Sequence, residues 1–547
     1  MRNKKEIRFG NWKTVGLAVA LLGAISLSIV YTVRIMDNRT SDATVFADTA
    51  YGVFLASQHA IYVNDFEAAA KFAKTFKDVN VDQVQQTVIL VNFLAGGMCD
   101  SFKDLRGESK VPLRMIYITH LIKQGSWRDV YDLYKTNDSS ILAPLRIWSS
   151  VAIGKENDAM KFMGTLKNTN ESWQEWTRGM VYAATGKNAK AKEHFEKVSL
   201  DFMNLNDYMY LLAFYSNTGF DDAAAELHAN FTERPAGLYM LNQSINYDWG
   251  DYDGFQNALA FSLVQTVSHS ATMAGSDLSL LFLRMAENIA SGNKDVINYY
   301  LGLYFYINDG NYREYFDRVP KSSIYYPFVL QKYAEKAGDF KTKRKELESA
   351  IKQNPLFIPG IVKLVSLHVQ NDQERDALYV LSNALKRPNV SDLGRAFFLK
   401  SRAQVHLVFG NIEAAQQDID EASLISPNDA GILSEQARIW AASGENLDEA
   451  YAYSLALVKT FPAEVEVWDT LGRVVLAKDG PDTALTIYEK VGRVAETCSS
   501  LFENLGDIYK ELGEVDGARD AYKKAISLSE DGMTVEKVLE KKLKALK

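Results

Sequence analysis

The sequence predicts an all-α chain, a train of antiparallel helical hairpins behind one apolar N-terminal helix. Three observations predict it. Thr14 to Val33 runs twenty residues without a charge. Apolar and small residues recur at i, i+3, i+4 and i+7 through the C-terminal part, the spacing of one helix face. The turn residues Gly338, Asp372, Gly410, Gly444, Asp479 and Gly513 stand 34, 38, 34, 35 and 34 positions apart. The 547 residues include 47% hydrophobic side chains and only 11 Pro, which excludes a disordered, collagen-like or Pro-rich chain. With no linker along it, the length is better divided by a repeat of about 34 than by ordinary domains.

The N-terminal elements come first. Residues 1–13 form a basic stub, 14–33 an apolar helix and 34–50 a juxtamembrane segment. Twenty helical residues span about 30 Å, the thickness of a bilayer core. Five basic residues precede the run, which orients the stub to the cytoplasm and the rest outside. A cleaved signal peptide, with its small-residue site at Ala24-Ile25-Ser26 or Ser26-Leu27-Ser28, is the alternative. Against it, Ile29 to Val33 continue the apolar run. No Cys lies near enough for a lipoprotein anchor, and the only two thiols, Cys99 and Cys498, are expected to be free.

Net charge is −8, yet residues 1–40 carry seven Lys/Arg against two acids, leaving about −13 on 41–547. A surface of that sign repels phosphate backbones, so no nucleic-acid partner is expected.

Residues 51–324 repeat the hairpin rhythm in weaker form, with turns or small residues at Asn64, Gly97, Gly125, Gly154, Gly186, Gly219, Gly250 and Gly292. A globular helical domain over 90–330, in which strict pairwise stacking fails, is the alternative there. Residues 325–530 show the repeat clearly. Phe502, Leu505, Gly506 and Tyr509 form one helix face, Gly513 breaks it, and Ala518, Tyr522, Ala525 and Ile526 return on a second helix. Small residues such as Gly506 and Ala518 let two helices approach at their crossing. Trp468, Leu471, Gly472, Val475, Ala484 and Tyr488 repeat the layout. In 531–547, Leu539, Leu543 and Leu546 line one stripe of a final capping helix.

These residues resemble the tetratricopeptide repeat, a 34-residue helix–turn–helix unit. Gly444 to Ala450, Trp468 to Gly472 and Asn504 to Asp507 are similar to C-terminal repeats of exported or membrane-anchored bacterial members. The resemblance implies a right-handed superhelical solenoid of about thirteen hairpins. It also implies a protein-binding scaffold in cell-envelope assembly, at the bacterial inner membrane with the repeats in the periplasm.

Nothing in the sequence points to catalysis. There is no phosphate loop, no nucleophile elbow and no His-Glu-x-x-His or His-x-x-x-His pair among the seven histidines. No catalytic, cofactor-binding or metal residue is assigned and no cofactor is expected. Acid pairs such as Asp448-Glu449 suit helix starts, where the macrodipole favours negative charge.

Two features point to binding. Stepping back six from each turn residue reaches Lys332, Ser366, Gln404, Arg438, Arg473 and Asp507, a position that the resemblance places in the groove. Three of them are basic and suit the carboxylates of a partner segment. Residues 299–328 hold eleven aromatics, among them Tyr304, Tyr306 and Tyr312, read either as thick packing or as a contact surface. The expected partners are therefore protein or peptide segments of envelope proteins and, through residues 14–33, the lipid bilayer. A substrate-recruiting subunit of an export or glycan-assembly complex is the second reading; an enzyme hidden in 90–330 is the third.

Overall fold

The computed structural model describes residues 56–57, 59–61, 65–73, 82–97, 111–166, 169–232, 254–270, 275–292, 294–388, 390–492, 499–528 and 534–546. The stub, the apolar helix 14–33, the segment 34–50, both cysteines and the turns at Asn64 and Gly250 lie outside them. All regular elements among the described residues are helices. None of those helices is long and apolar enough to cross a membrane.

The chain divides into two compact units. The first draws on Met1–Phe162 and Gly254–Tyr315, the second on Met163–Asp253 and Phe316–Lys547. In the first, helices do not pair only with their sequence neighbours. Helix Gly254–Ser268 packs on Ala143–Ala152, and Asp277–Ile289 packs on both Val111–Lys123 and Asp82–Leu94. The reason is visible in side-chain burial. From Ala258 to Gln265 every residue is buried, and a helix that is buried all round needs partners on more than one side. Polar links fix the register: the Trp148 indole Nε1 donates to Ser262 Oγ at 2.9 Å, and Gln256 Nε2 donates to the Ile122 carbonyl at 2.8 Å.

Arg284 anchors the same unit. Its side chain is fully buried, with Nε donating to the Leu94 carbonyl and Nη1 to Glu287 Oε2, both at 2.7 Å, and Nη2 to the Tyr315 hydroxyl. The guanidinium supplies a donor to a helix-end carbonyl that has no partner within its own helix.

In the second unit the hairpins follow sequence order from Tyr326–Lys336 with Phe340–Gln353 to Ser499–Glu511 with Val515–Leu528. Gly444, at φ 75°, makes the left-handed cap at the end of helix Ala430–Ser443, where a Cβ would be strained. Asp339, Ser391 and Asp429 cap helix starts by accepting from the backbone N–H of Thr342, Gly394 and Ile432. The small residues at the crossings face rings. A Cβ on Gly506 would stand 2.5 Å from Tyr522, and one on Gly472 2.4 Å from Tyr488. The final helix Thr534–Lys544 covers the last hairpin, its Leu539 packed with Ala518, Tyr522 and Ala525.

One partly buried histidine makes stability depend on pH. His406 is 17% exposed, its Nε2 lies 3.8 Å from Asp418 Oδ2 and its Nδ1 is buried without a hydrogen bond. Burial holds its pKa below the ordinary value; Asp418 pulls the other way and Arg402 adds to the lowering. The unfolded chain takes up the proton first as pH falls below about 6.5, so acid favours unfolding there. Urea midpoints should therefore decline from pH 7 to pH 5, and His406→Gln should flatten that decline. An unchanged pH slope in the variant would remove His406 as its cause.

Candidate functional site

First helices of successive hairpins lie side by side: Tyr326–Lys336 against Ile358–Val369, Asp392–Val408 against Ala430–Ser443, and the latter against Val465–Asp479. Their shared face carries a groove of about 450 Å³ whose lining includes Gln331, Val362, Lys363, Phe397, Lys400 and Asp429. Val362 is 41% exposed on its floor. Lys400 Nζ stands 5.3 Å from the Phe397 ring centroid, and Lys363 Nζ reaches Glu335 Oε1 only at 4.0 Å. Apolar floor and ammonium groups together suit a segment that alternates apolar and carboxylate side chains.

Of the positions read from the sequence, Lys332, Gln404 and Arg438 lie on helices that line the groove and Arg473 and Asp507 on later first helices, and they form pairs rather than a basic strip. Lys332 bonds Glu335 Oε2 at 2.8 Å. Gln404 Nε2 donates to Glu435 Oε2 at 3.2 Å, and Arg438 Nη1 lies 3.4 Å from that oxygen. Glu435 is 2% exposed, so Arg438 offsets a buried carboxylate. Arg473 donates to Asp469 Oδ2 at 2.9 Å and to Asn504 Oδ1 at 3.1 Å. Asp507 accepts from the Tyr522 hydroxyl and from Lys542 Nζ, each at 2.6 Å. Lys332, Arg438 and Arg473 are thus each neutralised by an acid of their own helix.

The aromatic stretch crosses from the first unit into the second at Phe316, and Tyr299, Tyr304, Phe305, Tyr315, Phe316 and Tyr325 are buried in the cores. Tyr304 is 1% exposed and cannot present a surface to a partner, which corrects the contact-surface reading for this residue. It meets Phe305 edge-on, and Phe305 stacks on Tyr315 with centroids 4.8 Å apart. Tyr306 and Tyr312 are half-buried and pack edge to face at 5.5 Å. Burial raises the Tyr304 phenol pKa, as it does for Tyr208 and Tyr210. None of these groups is poised for proton transfer at neutral pH.

Two histidines are likewise held by side-chain partners. His368 is 2% exposed with Nδ1 on Gln373 Oε1 at 2.7 Å, and His228 Nδ1 pairs with the Tyr208 hydroxyl at 2.5 Å. Among the described residues no three His, Cys, Asp or Glu side chains converge as metal ligands. The groove offers apolar side chains and two ammonium groups that can bind and orient a segment.

Residues 469–547 match the family model described as a tetratricopeptide repeat-like domain. The chain carries a tetratricopeptide repeat-like domain. No curated protein matches the sequence. Among solved structures, the chain is similar to yeast Tom70, at 16% identity and TM-score 0.34 over 91% of this chain and 99% of that one. It is also similar to the APC/C hetero-tetramer Cut9–Hcn1, at 12% identity and TM-score 0.33 over 90% and 96%. A third is a thermophilic tetratricopeptide-repeat protein of Thermus thermophilus, at 16% identity and TM-score 0.29 over 34% and 98%.

Lys363, Lys400, Val362 and Phe397 escaped the sequence reading. The signal was the repeat itself, since ten positions before the turns at Asp372 and Gly410 stand Val362 and Lys400. In later repeats that position is Ser434, Asp469 and Glu503. Along these first helices the row therefore changes from Val362 and Lys400 to the acidic Asp469 and Glu503, and the groove opens at its earlier end.

Proposed function

We propose that this chain is a membrane-tethered scaffold that holds extended or helical protein segments in the groove of its first helices. The groove with its apolar floor and two lysines is the observation that carries this reading. In it the hairpins form a right-handed superhelix, residues 14–33 anchor the chain in a bacterial inner membrane, and the repeats face the periplasm to serve envelope assembly. The anchor confines the search for partners to the membrane face; many weak contacts along stacked hairpins sum to a useful affinity. Catalysis has no part in this function.

A photo-crosslinking residue placed at Val362 should trap an envelope protein. The same probe at Tyr379, 68% exposed on the second helix Glu374–Leu385, should not. Val362→Asp with Lys400→Glu should cut capture of that protein, assayed with a separate crosslinker, by about tenfold while leaving helicity intact; the figure corresponds to loss of about 1.4 kcal/mol. Equal adducts at both positions, or unchanged capture, would sink the groove assignment. The anchor is tested separately by an alkaline-phosphatase fusion near residue 60, which should be active; an inactive fusion would overturn the outward orientation.

A further inference from the structure

The second unit carries another cleft, of about 610 Å³, whose lining includes Lys386, Arg387, Arg395, Arg402, Ser382 and Glu421. It does not belong to the groove described above. On helix Asp392–Val408 the groove uses Leu393, Ala396, Phe397 and Lys400, whereas this cleft uses Arg395, Leu399 and Arg402. Residues three and four apart share a helix face, so these two sets occupy opposite sides. The remaining walls come from the second helices Glu374–Leu385 and Ile412–Ile425 and from the turn between hairpins.

Four cations line a cleft in a chain whose net charge is −8. They differ in what they are free to do. Arg402 is committed: Nε and Nη2 donate to the two oxygens of Asp418 at 2.8 and 2.6 Å, and Nη1 reaches Ser382 Oγ at 3.3 Å. Arg395 Nη1 stands 3.8 Å from Glu421 Oε1, an ion pair beyond hydrogen-bond length, so its donors can turn to another acceptor. Lys386 and Arg387 are exposed, and among the described residues neither has an acidic partner. With Asp418 and Glu421 as the facing acids, two positive charges remain uncompensated.

We propose that this cleft is a binding site for a small multivalent oxyanion of the phosphate-ester kind. Arg387 and Arg395 supply forked donors that suit its oxygens, and Lys386 adds a mobile ammonium. Arg402, held rigidly by Asp418, fixes the wall on which the ligand rests. The acidic chain around the cleft repels extended polyanions, whereas a compact ligand fits within the open cleft and meets the local positive charge first.

Isothermal titration of the full chain with pyrophosphate in 50 mM salt should show one site per chain. Sodium sulfate at matched ionic strength should bind at least tenfold more weakly. Arg387→Ala with Arg395→Ala should weaken pyrophosphate binding by at least tenfold with an unchanged circular dichroism spectrum. Lys386→Glu, a change at an exposed turn that leaves the packed helices intact, should do the same. An exposed pair elsewhere, Lys341→Ala with Lys345→Ala, should leave binding as it was. The proposal is overturned by heat no larger than that of the salt-matched control, or by binding that survives both cleft variants. It is overturned equally by a poly-glutamate peptide that binds at this cleft more tightly than pyrophosphate, which would assign the site to an acidic protein segment.

Discussion

Arg284→Met should destabilise the first unit by about 3–5 kcal/mol, the range for removing one partner of a buried ion pair. Methionine keeps most of the apolar stem but none of the donors. Leu94 is left with a helix-end carbonyl whose guanidinium donor is gone, and Glu287 and the Tyr315 hydroxyl each lose their bond to Arg284. The guanidinium also lies 5.0 Å from the Tyr315 ring centroid, a cation–π contact that a thioether does not reproduce. Hydrogen exchange resolved by peptide would read the effect, with protection lost over 82–94 and 277–289 and retained over 430–528. Uniform loss along the whole chain, or no loss, would contradict this role.

Gly472→Ala should destabilise the second unit by about 1–3 kcal/mol, the usual cost of overpacking a core. The added methyl would stand 2.4 Å from Tyr488 Cε2. The ring cannot swing aside freely, because its hydroxyl donates to Asp469 Oδ1 at 2.9 Å and the side chain is 1% exposed. Gly164→Ala provides the contrast: a Cβ there meets nothing within 4 Å, so lower backbone entropy should leave stability equal or raise it by up to about 1 kcal/mol. Comparing urea midpoints of the two variants decides the matter. Equal midpoints would mean that the Gly472 crossing tolerates a side chain.

The two units were unequally legible in the sequence. Gly444, Gly472 with Tyr488, and Leu539 each act within about one repeat, and a pattern of that range is what periodicity reports. The partner of Trp148 is Ser262, 114 positions away, and no local spacing announces such a pair. A faint signal existed in the run Phe255 to Ser268, which has no charged residue and hence no solvent face. The row six before the turns has a different limit. Asp469 stands four residues before Arg473, the ordinary separation of a pair on one helix, and a row that counts one position per repeat does not include such partners. The lysines that do line the groove sit one turn earlier on the same helices.

The return of helices 254–289 onto helices 82–152 has a consequence for how the chain is made. Synthesis runs from the N-terminus, and domains generally fold as they emerge. The hairpins of 326–528 complete their contacts as each new repeat appears. Helix Ala143–Ala152 instead waits for about 100 further residues before its partner Gly254–Ser268 exists, and Val111–Lys123 for about 150 before Asp277–Ile289 does. Loop closure over that separation slows the step. The earliest segments of the first unit are therefore among the last to be buried, and they hold apolar surface open to chaperones while later residues are still being added.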